Sequence, residues 1–261
     1  MSNISILQKA KKGDIRTEPF PYIVIENALD DSYYDQLESS YPSDEIIIAE
    51  GLTRAECRAK RFGRVETKVQ QNYRYELSAV NSEVLPDIWK EFVKYHHSHA
   101  FYDECLDLFK DHIPHKRLKR LKKSETYARR CTSPENRKGM ALDCQISINT
   151  PVEHLSTVRG PHIDHLSMFY AGLFYMRRDE DDSEGGNLEI FKITANHKHL
   201  KFDRSRRVKN TEVLEKVEEI PYQKNTFVMF LGSKKAIHGV SPRTVTKYSR
   251  RLVNVIAKSG M

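Results

Sequence analysis

Long apolar runs are missing from this 261-residue chain, whose mean hydropathy is -0.64. No stretch approaches the roughly 18 apolar residues that span a bilayer. The opening segment "MSNISILQKAKKG" also lacks the apolar centre of a secretory signal. We therefore expect a soluble, cytoplasmic protein with no membrane association. The length suits one large β-rich domain with its own core.

Cysteine is scarce, and the four residues present form no CxxC pair. They are Cys57, Cys105, Cys131 and Cys144. This spacing excludes a zinc knuckle and a dense disulfide framework. We expect reduced, structural thiols.

Charge is plentiful but unevenly distributed, with 43 Lys and Arg against 36 Asp and Glu and a net charge of +7. Residues 115–123, "HKRLKRLKK", are basic, and residues 177–186, "RRDEDDSEGG", are mostly acidic. Such runs are usually solvated faces, so the basic run is expected to form an exposed helix or turn that serves solubility or an anionic partner. No aromatic residues interrupt it to stack on bases, which disfavours nucleic acid.

The first half of the chain predicts one strand followed by helices. "PFPYIVIENAL" (19–29) is typical of a buried strand, and the helix after it should stop at Pro42. Residues 81–114 have apolar positions at helical spacing with a break at "HHSH", which predicts two helices packed on one face of a sheet. We interpret the histidines of this break, His96, His97 and His99, as a surface or helix-junction cluster, since adjacent helical positions point in different directions.

After Ala141 the pattern changes to short β-branched and aromatic runs separated by turns, and it contains no internal repeat. The runs are "LDCQISIN", "MFYAGLFYM", "GGNLEIFKI", "VEEIPY", "NTFVMFL" and "RRLVNVIAK". We expect a mainly β protein with flanking helices (α+β), organised as a single domain over 1–261. Residues 1–140 would supply an N-terminal strand and helical support, and residues 141–261 the antiparallel core. The polar stretch 196–210 should be a long basic loop.

The segment "RGPHIDHLSMFY" (159–170) carries a candidate metal motif. If 160–166 enters a strand, His162 and Asp164 share one face while Ile163 and His165 face the other way. A facial metal site needs a third ligand, and His238 alone among the remaining histidines follows a strongly apolar strand. The others are in the helical half or in loops: His112, His115, His154, His197 and His199.

In order and spacing, these segments resemble the iron(II) and 2-oxoglutarate dependent oxygenases, in particular the branch similar to prolyl 4-hydroxylases. The matching pieces are "HID", "AGLFYMRRDEDDSEGGNLEIF", "NTFVMFLGSKKAIHGVSP" and "RRLVNVIAK", with "PFPYIVIENALDD" as the opening strand. The resemblance implies a double-stranded β-helix (jelly roll) with His162, Asp164 and His238 as metal ligands. It further implies Fe(II), 2-oxoglutarate and O2, with ascorbate as an accessory. The implied reaction hydroxylates an unactivated C–H bond and releases succinate and CO2.

In this family a basic residue on the last core strand holds the far carboxylate of 2-oxoglutarate, and Arg250 and Arg251 are the candidates. Only one of the two can face inward. The resemblance favours Arg250, because Asn254 supplies the polar residue that the family has four positions later. Tyr175 matches a position whose hydroxyl reaches the same carboxylate, and a core aromatic is the alternative for it.

Three classes of function remain open at the level of sequence, and within the first the sequence does not separate hydroxylation from desaturation or ring closure. A hydroxylase is favoured over a halogenase, since halogenating relatives carry a small residue where this chain has Asp164. A non-catalytic metal-binding β-helix module and a nucleic-acid demethylase are the alternatives, although "RRLVNVIAKSGM" lacks the demethylases' arginine-rich ending. A peptide, an amino acid or a glycan could be the substrate, and neither 151–160 nor 194–211 carries a motif that selects one.

Overall fold

The computed structural model describes residues 4–50, 52–53, 72–75, 82–128, 138–194 and 200–259. Within these ranges the chain is mainly β-structure, as predicted, and the described α-helices all lie in the first half. The strands are β1 (Tyr22–Ile25), β2 (Leu52–Thr53), β3 (Asn72–Tyr75), β4 (Thr126–Ala128), β5 (Met140–Asn149), β6 (Met168–Tyr175), β7 (Leu188–Ile193), β8 (Leu214–Ile220), β9 (Thr226–Leu231), β10 (Ile237–Val240) and β11 (Arg250–Ser259). The α-helices are α1 (Asp31–Ser39), α2 (Asp44–Glu50), α3 (Asp87–His96), α4 (His99–Phe109) and α5 (His115–Lys122). Not one described helix has the length and apolar character needed to cross a bilayer.

The strands form two sheets, a larger one ordered β1-β9-β6-β11-β5-β3-β2 and a smaller one ordered β10-β7-β8. All of these pairs are antiparallel, and β4 adds to β5 in parallel. From β5 onward the chain passes repeatedly from one sheet to the other. An isolated bridge from His162 to His238 extends the smaller sheet by one more segment. This alternation between two antiparallel sheets is the arrangement of a jelly roll.

The period of two along each strand divides the apolar side chains between two cores. On β11, Leu252 belongs to a cluster that includes Tyr175 of β6 and Ile190 of β7, so this face looks into the space between the sheets. The intervening residues Val253 and Val255 belong to a second cluster on the opposite face. That second cluster also contains the buried helical residues Trp89, Phe92, Phe101, Cys105 and Phe109.

The break predicted at "HHSH" separates two helices, since α3 ends at His96 and α4 begins at His99. Ser98 is the N-cap of α4, and its hydroxyl accepts a hydrogen bond from the Phe101 amide, which satisfies one of the N–H groups left over at a helix start. The indole N–H of Trp89 on α3 donates to the Leu37 carbonyl of α1 at 3.2 Å. The basic segment forms α5, which is mostly exposed apart from the buried Leu121.

His96 lies at this helix junction but in the protein core rather than on the surface. Its Nδ1 donates to the Phe92 carbonyl at 2.8 Å, and its Nε2 accepts from the Ile6 amide at 3.2 Å. One nitrogen donates while the other accepts, so the ring must be neutral. Burial lowers the pKa of His96 to about 3. The imidazole therefore ties the N-terminal segment to α3 and has no metal partner among the described residues.

The structure corrects one sequence-based expectation and agrees with a second one. Residues 160–166 do not form a regular strand, because only His162 makes bridges and the chain then turns. Cys105 and Cys144 are buried free thiols whose pKa values are raised by burial, as expected for structural cysteines. Cys57, Cys131, His197 and His199 lie outside the described residues.

We predict that His96 makes the fold acid-sensitive. The unfolded chain binds a proton at this ring near the ordinary histidine pKa, whereas the folded chain does not until about pH 3. Stability is therefore complete above the ordinary pKa and falls by about 1.4 kcal/mol per pH unit below it. Urea unfolding at pH 7, 6, 5 and 4 should show a smaller loss of stability in His96→Gln than in the wild type. The exposed His115→Gln is the control, and an equal loss in all three proteins would contradict the assignment.

Candidate metal centre

His162 and His238 are brought together by a pair of reciprocal backbone hydrogen bonds. The His162 amide donates to the His238 carbonyl at 2.9 Å, and the His238 amide donates to the His162 carbonyl at 3.1 Å. Residues directly opposite on antiparallel segments point to the same face. The two rings accordingly lie with their centroids 4.2 Å apart, both buried. His238 is held from behind by Phe230 of the larger sheet, whose ring centroid is 4.4 Å from its own.

Asp164 completes a cluster with these two histidines. Its Oδ1 lies 3.8 Å from Nε2 of His162, and its Oδ2 lies 3.7 Å from Nε2 of His238. The three residues each offer a ligand atom within 4.8 Å of the others, and they form the one such group found among the described residues. Because 163–165 is irregular, Asp164 reaches this position through a turn and not through strand alternation.

Hydrogen bonds fix which nitrogen of each ring faces the cluster. Nδ1 of His162 donates to the Gly160 carbonyl at 2.9 Å, and Nδ1 of His238 donates to the Ala236 carbonyl at 3.1 Å. Each Nε2 then presents its lone pair to the cluster, the usual arrangement of metal-binding histidines. Burial lowers the pKa of His238, an effect that the Asp164 charge partly offsets. The neutral form needed for ligation is thereby favoured.

The cluster fits a divalent ion. Ligand atoms bound to one ion at about 2.1 Å lie roughly 3 to 4 Å apart, so the observed spacing needs little closure. Two imidazoles and one carboxylate form the donor set of the facial triad of non-haem Fe(II) sites.

His165 and Arg159 lie beside the cluster without joining it. Nδ1 of His165 is engaged by the Ser167 hydroxyl at 2.7 Å, and the residue is not part of the metal-capable group. The Arg159 guanidinium lies 3.5 Å from Oδ1 of Asp164 and donates to the Ser205 carbonyl at 3.0 Å. Sequence reasoning missed Arg159, which connects the Asp164 carboxylate to the segment around Ser205.

Arg250 and Arg251 lie on opposite faces of β11. Arg250 is 2% exposed and faces the space between the sheets, where its Nε donates to the Gly186 carbonyl at 2.8 Å. Its guanidinium carbon is 4.9 Å from the centroid of the Tyr175 ring and 4.7 Å from that of Tyr222. Arg251 faces the helical side, with its guanidinium carbon 4.7 Å from the centroid of the Tyr41 ring.

Several polar atoms around Arg250 have no hydrogen-bond partner among the residues that the structure describes. They are Nη2 of Arg250, the Tyr175 hydroxyl and Nδ2 of Asn149, all buried. Nη1 of Arg250 donates to Oδ1 of Asn149 at 3.3 Å. Buried donors are seldom left without partners in folded proteins. Three such donors at one place indicate a site for a ligand rich in acceptor atoms.

Asn254 and Tyr175 differ in how closely they approach Arg250. Burial raises the pKa of the Tyr175 phenol, and the Arg250 charge opposes this shift. Asn254 faces the same intersheet space but donates to the Ser147 hydroxyl at 2.8 Å. Sequence reasoning missed Asn149 and Tyr222, for which no motif gave a signal.

The acidic run contains a buried ion pair, which corrects its interpretation as a solvated face. Oδ2 of Asp181 lies 3.2 Å from Nη2 of Arg243, and both side chains are almost fully buried. The Ser183 hydroxyl bonds to both partners. This pair packs against the Gly185–Gly186 turn, where the positive φ angles of 79° and 71° favour glycine. A Cβ on Gly186 would lie 2.9 Å from Arg243 and 3.3 Å from Arg250.

Comparisons with known proteins give structural neighbours only. The chain matches no protein-family model and no curated protein sequence. It is similar to a Pseudomonas putida prolyl-4-hydroxylase, with a TM-score of 0.49 and 11% identity over 91% of this chain and 92% of that one. It is also similar to a Trichoplax adhaerens prolyl hydroxylase in complex with a hypoxia inducible factor peptide fragment, with a TM-score of 0.48 and 12% identity over 99% and 89% of the two chains. A third is the epimerase SnoN in complex with Fe3+, alpha ketoglutarate and nogalamycin RO, with a TM-score of 0.48 and 8% identity over 91% and 78%. Prolyl-4-hydroxylases and 2OG-Fe(II) oxygenases, the classes that the sequence resembles, recur among these structures.

We predict that a divalent metal binds through His162, Asp164 and His238. Changing His238 to Ala removes a ligand and should weaken Mn(II) or Fe(II) binding by more than about 100-fold. Loss of a residue that merely hydrogen-bonds to a metal ligand typically weakens binding by about ten- to a hundredfold. The matched control is His165→Ala, which leaves the triad intact. Electron paramagnetic resonance titration with Mn(II) measures both variants. Unchanged affinity in His238→Ala, or an equal loss in His165→Ala, would contradict the assignment.

The Asp181–Arg243 pair should be essential to stability. Asp181→Asn leaves the Arg243 charge buried without its counter-charge, which should cost about 3 to 5 kcal/mol of unfolding free energy. Asp179, two residues away, forms an exposed ion pair with Lys224, so Asp179→Asn should cost less than about 1 kcal/mol. Urea unfolding compares the two. Equal losses of unfolding free energy in Asp181→Asn and Asp179→Asn would show that the buried pair contributes no more to stability than the exposed one.

Proposed function

We propose that the protein is an iron(II)- and 2-oxoglutarate-dependent dioxygenase that hydroxylates an unactivated C–H bond. The observation that carries the proposal is the presence, between the same two sheets, of two buried histidines with a partly buried carboxylate and of a buried arginine that has no counter-charge among the described residues. Each half requires a different partner, a cation and an anion. Fe(II) with 2-oxoglutarate supplies both.

The triad is suited to hold iron and leave part of its coordination sphere open. His162, Asp164 and His238 would hold the ion, and a two-histidine, one-carboxylate triad of this kind leaves positions open for a keto acid and O2. When bound, iron and 2-oxoglutarate would supply the oxidising chemistry, with release of succinate and CO2. The protein's contribution is to fix the ligand geometry through the Gly160 and Ala236 carbonyls and to shield the site with Phe230.

Arg250 is suited to hold the far carboxylate of the keto acid. No described carboxylate forms an ion pair with Arg250; its protein partners are a carbonyl, an amide oxygen and two aromatic rings. A buried guanidinium without a counter-charge is costly. A ligand carboxylate would remove this cost and would accept from Nη2 of Arg250 and from the Tyr175 hydroxyl. In this proposal Arg251 and Asn254 make no direct contact with it.

The spacing between the two half-sites favours an extended diacid. Ala171 pairs with Phe230, which touches His238, whereas Tyr175 lies beside Arg250. These two β6 residues are four positions apart, or about 13 Å along a strand. An extended arginine side chain and a five-carbon dicarboxylate can together cover this interval. A small anion such as acetate cannot reach both ends.

The proposal treats residues 1–261 as one oxygenase domain. Residues 1–140 provide the strand and helices that support the larger sheet, and residues 141–261 provide the double-stranded β-helix with the metal site. Hydroxylation is preferred over halogenation because Asp164 occupies the position that a halide would need. A peptide, an amino acid or a glycan is the proposed class of substrate, with no role for nucleic acid.

Turnover of 2-oxoglutarate tests the proposal directly. Purified protein reconstituted with Fe(II) and ascorbate should release succinate with consumption of O2, and one of a panel of peptides, amino acids and sugars should stimulate it. The Asp164→Ala variant is the inactive control. Metal-loaded protein that binds 2-oxoglutarate but never converts it, with any panel member, would instead favour a non-catalytic binding module.

The two neighbouring arginines give a matched pair of variants. Loss of a charge-assisted hydrogen bond costs about 1.5 to 3 kcal/mol, so Arg250→Ala should weaken 2-oxoglutarate binding by about ten- to a hundredfold. Arg251→Ala, which alters the opposite face of β11, should have little effect. Calorimetric titration of 2-oxoglutarate into Mn(II)-loaded protein measures both. A larger loss in Arg251→Ala would contradict the assignment of Arg250.

A further inference from the structure

The metal-bearing segment has a basic neighbour on its outer side. Residues 200–210 run antiparallel to it, with hydrogen bonds from the Val208 amide to the Pro161 carbonyl at 2.9 Å and from the Ile163 amide to the Arg206 carbonyl at 3.2 Å. These bonds flank a bridge between His162 and Arg207. Such non-hydrogen-bonded pairs bring the two Cα atoms to about 4.5 Å and leave their side chains side by side.

The alternation of side chains shows which way Arg207 faces. Ile163 and Val208 belong to an apolar cluster with Phe191 and Ile237, on the outer face of the smaller sheet. Arg207 directly precedes Val208 in the bridged segment, so it faces the opposite way, toward the side that carries the metal ligands. Arg207, His162 and His238 therefore form one row across the inner face.

A local turn holds the Arg207 backbone in place. Oδ1 of Asp203 accepts hydrogen bonds from the Ser205 amide, the Ser205 hydroxyl and the Arg207 amide at 2.7, 2.7 and 2.9 Å. The Asp203 amide donates to the Arg207 carbonyl at 2.9 Å. These bonds lower the pKa of Asp203, with a smaller contribution from the Arg207 charge. Within the described ranges, no ion pair joins the Arg207 guanidinium to a carboxylate.

The surroundings of Arg207 are strongly basic. Residues 200–210 contain five Lys or Arg and a single acidic residue, Asp203. The nearby Arg159 is engaged with Asp164. A bound divalent ion carries two positive charges, and Asp164, the one carboxylate of the metal cluster, offsets one of them, so the protein and ion together would present one net positive charge at this row. Electrostatic attraction at this edge therefore selects a negatively charged group.

We propose that Arg207 anchors an oxyanion, a carboxylate or a phosphate, on the primary substrate next to the C–H bond that reacts. The inference rests on the proposed function and adds the class of substrate to it. Arg207 is bridged to His162, and His162 to His238, with Cα atoms about 4.5 Å apart in the first pair and about 5.5 Å apart in the second. An anionic substituent of a peptide, amino acid or glycan can therefore reach from the guanidinium to the metal cluster. The site is distinct from the Arg250 site, which lies deeper between the sheets.

Relaxation of phosphate by bound Mn(II) tests whether an anion is held near the metal. Protein is loaded with substoichiometric Mn(II) and saturated with 2-oxoglutarate, which occupies the Arg250 site, and 31P relaxation of inorganic phosphate is then measured. Wild-type protein should show an enhancement that saturates with phosphate, and a protein loaded with diamagnetic zinc should show none. Relaxation of 13C-labelled acetate, measured in the same way, determines whether a carboxylate is accepted as well as a phosphate.

Two variants separate Arg207 from general positive charge. Loss of a charge-assisted hydrogen bond should weaken phosphate binding in Arg207→Gln by about ten- to a hundredfold. Arg204→Gln, which removes an exposed charge from the same loop, should retain the wild-type enhancement, and Arg207→Lys should retain part of it. Mn(II) occupancy and thermal unfolding are measured for each protein, so that misfolding is recognised.

The possible outcomes test the Arg207 anion site separately from the proposed dioxygenase function. Wild-type protein that binds Mn(II) and 2-oxoglutarate but shows no phosphate enhancement would overturn the anion site alone. Equal enhancements in Arg207→Gln and Arg204→Gln would likewise overturn the anion site and leave the proposed function standing. Wild-type protein that fails to bind Mn(II) would overturn the proposed function and this inference together.

Discussion

The reciprocal backbone hydrogen bonds between His162 and His238 are the constraint on which the rest of the site depends. They join two segments that are distant in sequence and place both rings on one face. The carbonyls of Gly160 and Ala236, each two residues before its histidine, then orient the rings. Because the orienting groups belong to the backbone, the donor set is prepared by the sheet itself. Only Asp164 depends on an irregular turn, and Arg159 restrains its carboxylate.

Two buried arginines, Arg243 and Arg250, pass close to Gly186, and they differ in whether a counter-charge accompanies them. Arg243 has its counter-charge in Asp181 and contributes to the framework. Arg250 has neutral partners only, so its charge is uncompensated within the described protein. The absence of a Cβ at Gly186 allows both side chains to pass. The Asp181–Arg243 pair thus packs against the Gly185–Gly186 turn, and the Gly186 carbonyl of that turn orients Arg250.

The sequence predicted those features that follow from periodicity or from a motif. Alternating β-branched runs located the strands from β5 onward, with the exception of the short β10, and the "HID" motif with His238 located the metal cluster. Alternation also predicted that Arg250 and Arg251 would face opposite ways, although their roles stay predictions. The features that could not be predicted depend on contacts between distant segments. Asp181 looked solvated because its partner Arg243 lies far along the chain. His96 was predicted to lie at the surface or at a helix junction, and the junction was correct, but its burial could not be predicted because the contact with Ile6 joins distant segments.

The two proposed anion sites, at Arg250 and at Arg207, differ in how deeply the arginine is buried. At Arg250, water is excluded and the neighbouring donors are fixed, so a ligand there is chosen by shape and length as well as by charge. Arg207 is half-exposed at the edge of the smaller sheet, where hydration weakens a single ion pair and permits exchange. The buried Arg250 site suits 2-oxoglutarate, the cosubstrate that is the same in every cycle. The more exposed Arg207 site suits an anionic group on the primary substrate, which must enter and leave. The metal cluster is bridged directly to Arg207 through His162, so the positive charge of a bound ion would reinforce the attraction of an anion to that arginine.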